Sequence, residues 1–381
     1  MFIESYFQTA SHLFDQYELQ MPLHLFLKEY FRNNKKFGSR DRKYIAELVY
    51  GIYRLGVSNQ HLRVRDRLTL GSFLSNRLPI LFFQKVNPLL ASNYQLSFEE
   101  KKAFLISEFD CNFDLPFKLS EGISEDDFLR HLYSQPKVFI RIRQNKPKIE
   151  EALLKHKIEF TKVNDTCFSF DSNTKLTEIL DLQDFVIQDY ASQQVGAYLT
   201  PQNKERWWDC CAASGGKSIM LLDKNRNIEL VATDIRDSIL KNLHERMGIY
   251  GYASNYLSFT IDVTKDVSSI IKNKFDAIIC DAPCSGSGTW SHSPEQFYFF
   301  SDEKLKQFEL MQYDIVANAI QYLKPGGKLF YITCSLIQNE NENLVDKIVA
   351  ESTMKNYRSE SINGSQLGGD YMYISEMHLP V

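Results

Sequence analysis

The 381-residue sequence lacks the features that place a protein in a membrane or direct it out of the cell. No apolar run approaches the roughly 18 residues that a transmembrane helix needs. The first ten residues, MFIESYFQTA, contain the acidic Glu4 and lack the basic and then apolar pattern of a secretion signal. We therefore expect a protein of the cytoplasm that has no membrane partner. We also expect a monomer.

The cysteines lack the spacing of a disulfide framework or of a zinc site. Their number is odd, they form no CxxC pair, and no series of histidines lies near them. We therefore expect free thiols and no bound metal. The seven residues are Cys111, Cys167, Cys210, Cys211, Cys280, Cys284 and Cys334.

The chain also lacks an overall excess of positive charge, because its formal net charge is −4. Basic residues are nevertheless concentrated in two stretches. Eleven basic and four acidic residues lie between Lys28 and Arg67, whereas Lys137 to Lys148 contains five basic residues and no acid. Such patches can bind a polyanion locally, since more distant charges are screened. The alternative is a solvated basic face without a ligand.

Chain length and residue periodicity predict three regions. The chain is longer than one hydrophobic core usually supports. Apolar residues at helical spacing predict an all-helical domain over residues 1–130, with Ser39 as the N-cap of one helix. Residues 131–195 are predicted to form a small α/β connecting segment. Within it, VFIRIR alternates like a strand, and residues 167–170 are predicted to form a second strand.

Strand and helix patterns alternate over residues 196–381. This alternation predicts an α/β fold with a doubly wound, Rossmann-like parallel sheet and helices on both faces. Ligands of such sheets bind beyond the carboxyl ends of the strands, so the residues that end each strand are candidates for chemistry. The predicted strands are WWDCCA, ELVATD, YLSFTID, FDAIICDAP and KLFYITC, the last preceded by a KPGG turn.

A glycine-containing loop, DCCAASGGKS, follows the first of these strands. The phosphate-binding pattern GxxxxGK[ST] would need glycine where Cys211 stands, and the dinucleotide pattern GxGxxG fails because Ala212, Ala213 and Ser214 occupy the turn. A tight loop remains that suits the amino-acid end of S-adenosylmethionine, because its backbone amides can approach a ligand closely. An ordinary strand-to-helix turn is the alternative.

Acids and cysteines end the later strands. Asp234 follows the glycine turn by about twenty residues, where a carboxylate can accept both ribose hydroxyls, and Asp262 could bond an adenine amino group. Each of these acids could instead be a helix N-cap or a solvated side chain. Asp281, Cys284 and Cys334 end the fourth and fifth strands, so we expect the two cysteines to face one pocket.

These motifs together resemble those of the S-adenosylmethionine-dependent RNA cytosine-5 methyltransferases of the Sun/Fmu (RsmB-like) family. The resemblance covers roughly residues 136–381, and the paired cysteines are its most specific element. It rests on the strand-end acids and on QDYASQQ (188–194), DCCAASGGKS (209–218), DAPCSGSG (281–288) and TCSLIQNENE (333–342).

The resemblance implies an activity and a role for individual residues. Cys334 would be the nucleophile that adds to cytosine C6, Cys284 would help to release the product, and Asp281 would bond the base edge. The methyl donor would be S-adenosylmethionine. Its implied contacts are Cys211, Ala212, Ala213, Ser214, Gly215, Gly216, Lys217, Asp234, Asp262 and Asp281.

The amino-terminal region resembles the NusB-like helical RNA-binding domain found in family members that act on ribosomal RNA. The resemblance lies in PLHLFLKEYF (22–31) and GSRDRKYIAELVYGIYR (38–54). It implies ribosomal RNA as the substrate, with transfer RNA as the alternative. The target base must be unstacked to expose C6, which suits single-stranded or flipped RNA. The candidate RNA contacts are Arg40, Arg42, Lys43, Arg141 and Arg143.

The sequence departs from the family pattern at several positions, and other functions are to be weighed. The carboxyl-terminal GGDYMYISEMHLPV matches the closing strand of the family only approximately. Ser214 stands where the family usually has proline, and Ser291 and His292 replace common arginines. A non-catalytic RNA-binding scaffold is one alternative function, against which the intact cysteines and Asp281 argue. An adenine N-methyltransferase is the other, but it would want an Asn/Asp-Pro-Pro-aromatic loop in place of DAPC.

Overall fold

The computed structural model describes residues 2–381, which divide into two compact units. Within these residues, no helix is both long enough and apolar enough to cross a membrane. The division at residues 130 and 195 stays a prediction. The first unit comprises Met1–Phe117, Ile123–Ser134 and Trp290–Ser301, and the second comprises Lys118–Gly122, Gln135–Thr289 and Asp302–Val381.

The first unit is built of α-helices, here numbered in chain order. Gly38 is the N-cap of α3, and its amide donates a hydrogen bond to Asp41 Oδ2 at 3.1 Å. The prediction of Ser39 as the N-cap is therefore wrong, because Asp41 satisfies the amide one position earlier. The helices are α1 Ile3–Gln16, α2 Leu23–Asn33, α3 Ser39–Leu55, α4 Val64–Ser75, α5 Ile80–Val86, α6 Pro88–Ser92, α7 Phe98–Phe109, α8 Glu125–Tyr133 and α13 Pro294–Tyr298.

Helices α3 and α4 approach each other closely at two glycines. A Cβ atom added to Gly71 would lie 2.0 Å from the carbonyl oxygen of Gly51, and one added to Gly51 would lie 2.6 Å from the amide nitrogen of Ser72. Real Cβ atoms do not approach other atoms this closely. The crossing of these helices therefore requires glycine on both.

Residues 290–301 belong to this helical unit although they follow the fourth predicted strand of the sheet. Trp290 is buried among the rings of Phe117 and Phe128. Glu295 is also buried, and its Oε1 accepts a hydrogen bond from the amide of Leu23 at 3.1 Å, at the amino terminus of α2. A carboxylate is favourable at that end of a helix dipole. The segment therefore supplies both an apolar anchor and a helix cap.

The second unit contains a small antiparallel sheet of strand order β2-β3-β1-β4. Ile140, Phe168 and Leu153 are fully buried in its core. The strand predicted at residues 167–170 is confirmed, whereas β2 was not predicted. Its elements are β1 Val138–Ile142, α9 Lys146–Lys155, β2 Thr161–Asn164, β3 Cys167–Phe170, β4 Phe185–Ile187 and α10 Tyr190–Gln194.

The second unit also contains a seven-stranded sheet of order β10-β11-β9-β8-β5-β6-β7. Strands β5 to β9 run parallel, and β11 and β10 join antiparallel at one edge. The bounds are β5 Arg206–Asp209, α11 Gly216–Lys224, β6 Glu229–Asp234, α12 Asp237–Ile249, β7 Tyr256–Thr260, β8 Phe275–Asp281, α14 Asp302–Ala319, β9 Leu323–Thr333, α15 Glu342–Glu351, β10 Lys355–Asn363 and β11 Tyr371–His378.

Apolar residues on both sides of this sheet explain why helices cover both faces. Neighbouring residues of a strand point to opposite faces. Trp207 accordingly belongs to one buried core, where it stacks on Phe330 at 5.6 Å, and Trp208 belongs to the other, near Phe275. The predicted doubly wound sheet is confirmed. The predicted KPGG turn instead lies inside β9, where Gly326 has a φ of +75°.

Candidate active site

The strand order changes direction between β5 and β8, and a cavity of ≈ 400 Å³ opens at the carboxyl ends of the neighbouring strands. This is where ligands bind in doubly wound sheets. Six residues predicted from the sequence line it: Cys211, Ala213, Asp234, Asp262, Asp281 and Cys284. The other lining residues are Cys210, Ile235, Arg236, Ile261, Val263, Thr264, Pro283, Met311 and Ile315.

The glycine-containing loop forms a tight turn between β5 and α11. Ala213 and Gly215 both have positive φ, +45° and +84°. The amide of Ala213 donates to Asp234 Oδ2 at 3.0 Å, which joins the loop to the end of β6. Arg246 Nη1 donates to both the carbonyl oxygen and Oγ of Ser214, each at 2.8 Å. Arg246 thus binds Ser214 through two hydrogen bonds, and a proline at this position could accept only the one to the carbonyl oxygen.

Five predicted cofactor contacts lie in this loop or just after it but are not among the residues lining the cavity: Ala212, Ser214, Gly215, Gly216 and Lys217. Ala212 is buried, and its amide donates to the carbonyl oxygen of Thr233 at 2.8 Å. These residues therefore fix the course of the loop, and their contact with a cofactor stays a prediction.

Both strand-end acids form the same local turn. Asp234 Oδ1 accepts from the amide of Arg236 at 2.9 Å, and Asp262 Oδ1 accepts from the amide of Thr264 at 3.1 Å. Aspartate commonly bonds the backbone two residues ahead in this way. A hydrogen bond from Thr264 Oγ1 is the leading cause that lowers the pKa of Asp262. Arg236 and Thr264 were not predicted from the sequence as residues of the site. The tendency of aspartate to bond the amide two positions ahead was the signal that would have indicated both.

The hydrogen-bond acceptors and apolar walls of the cavity fit a nucleoside. The carboxylates of Asp234 and Asp262 are acceptors for hydroxyl or amino groups, and Ile235, Ile261 and Val263 provide apolar walls between them. Ligand sites typically combine such apolar walls with a few placed polar groups. This part of the cavity could therefore hold the adenosine end of a cofactor.

Lys217 and Asp281 form an ion pair behind the cavity. Lys217 Nζ lies 2.8 Å from Asp281 Oδ2 and donates to Ser192 Oγ at 3.0 Å. Gln188 Nε2 also donates to Ser192 Oγ, at 3.2 Å. The lysine side chain is 7% exposed and the aspartate side chain 31%. The QDYASQQ segment therefore helps to orient Lys217, and Lys217 in turn orients the accessible carboxylate of Asp281.

Asp209, which ends β5, is a buried acid that the sequence analysis did not single out. Ser218 Oγ donates to its Oδ2 at 2.7 Å, and its Oδ1 has no hydrogen-bond partner among residues 2–381. Burial raises the pKa of Asp209 to about 7, because the hydrogen bond from Ser218 and the charge of Lys217 only partly offset the loss of water. Asp209 is the first residue of DCCAASGGKS, and this position was the feature of the sequence that could have indicated its importance.

The structure brings the two predicted cysteines together. Cys284 Sγ and Cys334 Sγ lie 3.3 Å apart, because β8 and β9 are parallel neighbours and each cysteine follows the end of its strand. The hydrogen bond with Cys334 and burial raise the pKa of the Cys284 thiol. Gly288 is the last residue of the DAPCSGSG loop that carries Cys284. A Cβ atom there would lie 2.5 Å from the carbonyl oxygen of Tyr371, so this position requires glycine. Cys284 lines the cavity, whereas Cys334 is not among its lining residues. That both cysteines face one pocket therefore stays a prediction, as do their catalytic roles.

Glu340 connects the two cysteine-bearing loops. It is fully buried, and its Oε1 accepts from the Ser285 amide at 2.8 Å and from Gln312 Nε2 at 3.0 Å. Its Oε2 accepts from Ser285 Oγ and Ser335 Oγ, both at 2.5 Å. Ser285 follows Cys284 and Ser335 follows Cys334. Glu340 lies in the TCSLIQNENE motif. Its position in that motif does not indicate that its side chain reaches Ser285 in the loop after β8.

The predicted RNA contacts divide into two groups. Arg141 and Arg143 both pair with Asp223 at 2.7 Å, and their side chains are only 12% and 8% exposed. They are therefore buried structural residues that join the small sheet to α11, rather than exposed phosphate contacts, and we correct the prediction for them.

The other three residues lie at the start of α3. Arg40 and Lys43 are exposed, and Arg42 is half-buried with its Nε donating to the carbonyl oxygen of Phe37 at 2.8 Å. Their contact with RNA stays a prediction.

A second cavity, of ≈ 490 Å³, lies at the opposite ends of the strands. It is lined by the first residues of β5, β6, β7 and β8, together with an ion pair between Arg206 and Glu229. The cysteine pair and the strand-end acids are not among its lining residues. The cavity at the carboxyl ends is therefore the candidate active site.

The carboxyl-terminal part of the chain is similar to a known protein family. Residues 196–375 match the model of the family described as 16S rRNA methyltransferase RsmB/F. Ribosomal RNA small subunit methyltransferase B of Shewanella oneidensis is 30% identical over 171 residues, which are 44% of this chain and 38% of that protein. The same-named protein of Klebsiella pneumoniae is 29% identical over 166 residues, again 38% of its length.

Solved structures share the fold. The crystal structure of PH0851 covers 99% of both chains with a TM-score of 0.68 and 17% identity. NSun6 from Pyrococcus horikoshii with SFG covers 67% of this chain and 94% of that one, with a TM-score of 0.58 and 16% identity. Residues 196–375, which are just under half of the chain, are therefore similar in sequence to the family described as 16S rRNA methyltransferase RsmB/F, as the motifs predicted.

Proposed function

We propose that the protein is an RNA (cytosine-5)-methyltransferase that acts on ribosomal RNA. One observation carries the proposal: two cysteine sulfurs lie 3.3 Å apart at the ends of β8 and β9, beside the cavity that Asp281 lines. Ribosomal RNA as the substrate rests on the names of the matched relatives, of which the alignment spans 38% of the length.

Residues from three strand ends would hold the cofactor. Asp234 would accept hydrogen bonds from the ribose hydroxyls, Asp262 would accept one from the adenine amino group, and the loop at Cys211 to Ala213 would border the amino-acid end. NSun6, whose fold is shared, was solved with SFG, an analogue of S-adenosylmethionine. The bound cofactor supplies an electrophilic methyl group.

Cys334 would act as the nucleophile. Cytosine C5 is too electron-poor to be methylated directly, so the Cys334 thiolate adds to C6 and forms a carbon–sulfur bond. The electron pair of the C5–C6 double bond then makes C5 nucleophilic. Asp281, oriented by Lys217, would accept a hydrogen bond from the exocyclic amine and hold the base while this occurs.

Cys284 would assist the second half of the cycle. Loss of the C5 proton restores the double bond and expels Cys334, which regenerates the enzyme. The Cys284 sulfur lies 3.3 Å from that of Cys334 and is therefore next to the point of attachment, which supports a role for Cys284 in this step. Product release is the role that the family resemblance implies for it.

The test is transfer of a tritiated methyl group from S-adenosylmethionine to total RNA. We expect Cys334→Ala to lower the rate at least ~10³-fold, as removal of a covalent nucleophile does elsewhere, while binding of a cofactor analogue is unchanged. Cys167→Ala, which removes a buried thiol of β3, is the matched control. Normal methylation by Cys334→Ala, or an inert wild type, would contradict the proposal.

The substrate is tested separately by bisulfite mapping of RNA from a deletion strain and its parent. A single cytosine of ribosomal RNA that loses modification supports the proposal. Loss confined to transfer RNA would keep the chemistry and overturn the substrate.

A further inference from the structure

Three cysteines outside the proposed catalytic pair form a cluster at the floor of the cavity. The sulfur atoms of Cys210, Cys211 and Cys280 all lie within 4.8 Å of one another. Cys210 and Cys280 are buried, and Cys211 is partly exposed. Among residues 2–381, this is the group of three or more His, Cys, Asp or Glu side chains with the spacing of a metal site.

Strand pairing explains the cluster, which sequence spacing could not predict. Asp209 of β5 pairs with Ile279 of β8, and the Cys210 amide donates to the carbonyl oxygen of Ile279 at 2.9 Å. The register therefore brings Cys210 beside Cys280, 70 positions later in the chain, and Cys211 follows at once. No CxxC pair is needed when two neighbouring strands each contribute a thiol.

We propose that Cys210, Cys211 and Cys280 bind one thiophilic divalent cation, of which Zn²⁺ is the biological example. Zinc–sulfur bonds are about 2.3 Å long, so three sulfurs around the ion lie roughly 3.8 Å apart. The observed separations require shifts of an ångström or less per sulfur to reach that geometry. A fourth position stays open to water or another ligand, as in many zinc sites with three protein ligands.

The chemistry of the cluster suits such an ion. Binding would release up to three protons to solvent, form three sulfur–metal bonds and leave the oxidation states unchanged. The two positive charges of one divalent ion against three thiolates leave one net negative charge at the cluster.

The cavity gives the ion a route to the cluster. Cys210 and Cys211 both line it, whereas Cys280 lies behind them in β8. Most buried cysteines are simply small apolar core residues. Three thiols within 4.8 Å of one another, two of which line the cavity, distinguish this group from Cys111 and Cys167, which belong to no such group.

The test is titration of the full-length, reduced protein with Cd²⁺, a spectroscopic substitute for Zn²⁺. The Cys284–Cys334 pair could also bind the ion, so all proteins carry Cys284→Ser and Cys334→Ser. We expect one ion per chain and an ultraviolet sulfur-to-metal charge-transfer band whose amplitude corresponds to three thiolates. A large excess of Zn²⁺ should compete with Cd²⁺ and reduce the band.

Two substitutions and one control make the result specific. Cys280→Ala and Cys210→Ala should each reduce the band and weaken Zn²⁺ binding, measured by chelator competition, by more than the roughly 10–100-fold that loss of an outer-sphere group costs. Cys167→Ala should change neither, and circular dichroism checks that each variant is folded. Absence of the band, or equal loss of it in Cys167→Ala, would overturn the proposal whatever the methyltransferase assay shows.

Discussion

The two sides of the cavity are held in place in different ways. Beside β6 and β7, Asp234 and Asp262 each bond a backbone amide two residues ahead, so much of the geometry is local. Beside β8 and β9, Glu340 holds Ser285, which is 55 positions away, and Ser335 at the same time. The nucleoside side can therefore be inferred from short motifs. The cysteine side depends on one buried residue that sequence spacing does not reveal.

The largest expected effect is on the cysteine side. Under the proposed function, Cys284→Ala should trap RNA on Cys334 because release is impaired, giving a slowly migrating covalent complex on a denaturing gel. Cys284→Ala combined with Cys334→Ala is the control and should give no such band. A complex that persists in the double variant would show that Cys334 is not the point of attachment.

Glu340→Ala should have the next largest effect, because it leaves the Ser285 amide without its acceptor and removes one of the two acceptors of Gln312 Nε2. We expect a loss of roughly 1–3 kcal/mol in the free energy of unfolding for the unmade hydrogen bonds. A positioning role further predicts a lower kcat with unchanged binding of a cofactor analogue, since Asp234 and Asp262 are not disturbed.

Two further variants separate positioning from general damage. Glu340→Gln keeps an acceptor for the two N–H donors and should restore most of the activity. Glu342→Gln alters a carboxylate that accepts from the Glu121 amide instead, and it should leave kcat unchanged. If Glu340→Ala lost stability and cofactor binding in parallel with kcat, Glu340 would be merely structural.

The same contrast explains which parts of the structure were predictable. Alternating patterns indicated the parallel strands and therefore the meeting of Cys284 and Cys334. Strand β10 was missed because its residues are mostly exposed and give no apolar alternation. Arg141 and Arg143 were misassigned because charge in a sequence does not reveal the partner, which is the buried Asp223.

Asp209 provides a pH-dependent test at the boundary between the two sides. Its folded-state pKa is raised to about 7 from 3.8, so the folded state favours the protonated carboxyl. Its contribution to stability is complete below about pH 4 and is lost as the pH rises through about 7. Asp209→Asn should therefore gain stability relative to the wild type across this window, by at most about 4 kcal/mol.

Urea unfolding of both proteins at several pH values measures this difference. Asp237→Asn, which changes an exposed acid of α12, is the control and should show no comparable gain as the pH rises from 4 to 7. A stability difference for Asp209→Asn that is constant with pH would mean that Asp209 titrates as an ordinary carboxyl.

The smallest effect is expected at Ser214, on the nucleoside side. Ser214→Pro restores the residue usual in the family and restricts the unfolded chain, which is worth about 0.4–1 kcal/mol where the native backbone accepts proline. It also removes the hydroxyl that accepts from Arg246, whereas the carbonyl oxygen keeps its bond. Ser214→Ala loses the same hydroxyl without adding the ring. We therefore expect Ser214→Pro to exceed Ser214→Ala in urea stability by that amount. A Ser214→Pro protein less stable than Ser214→Ala would show that Ala213, at its positive φ, does not tolerate a following proline.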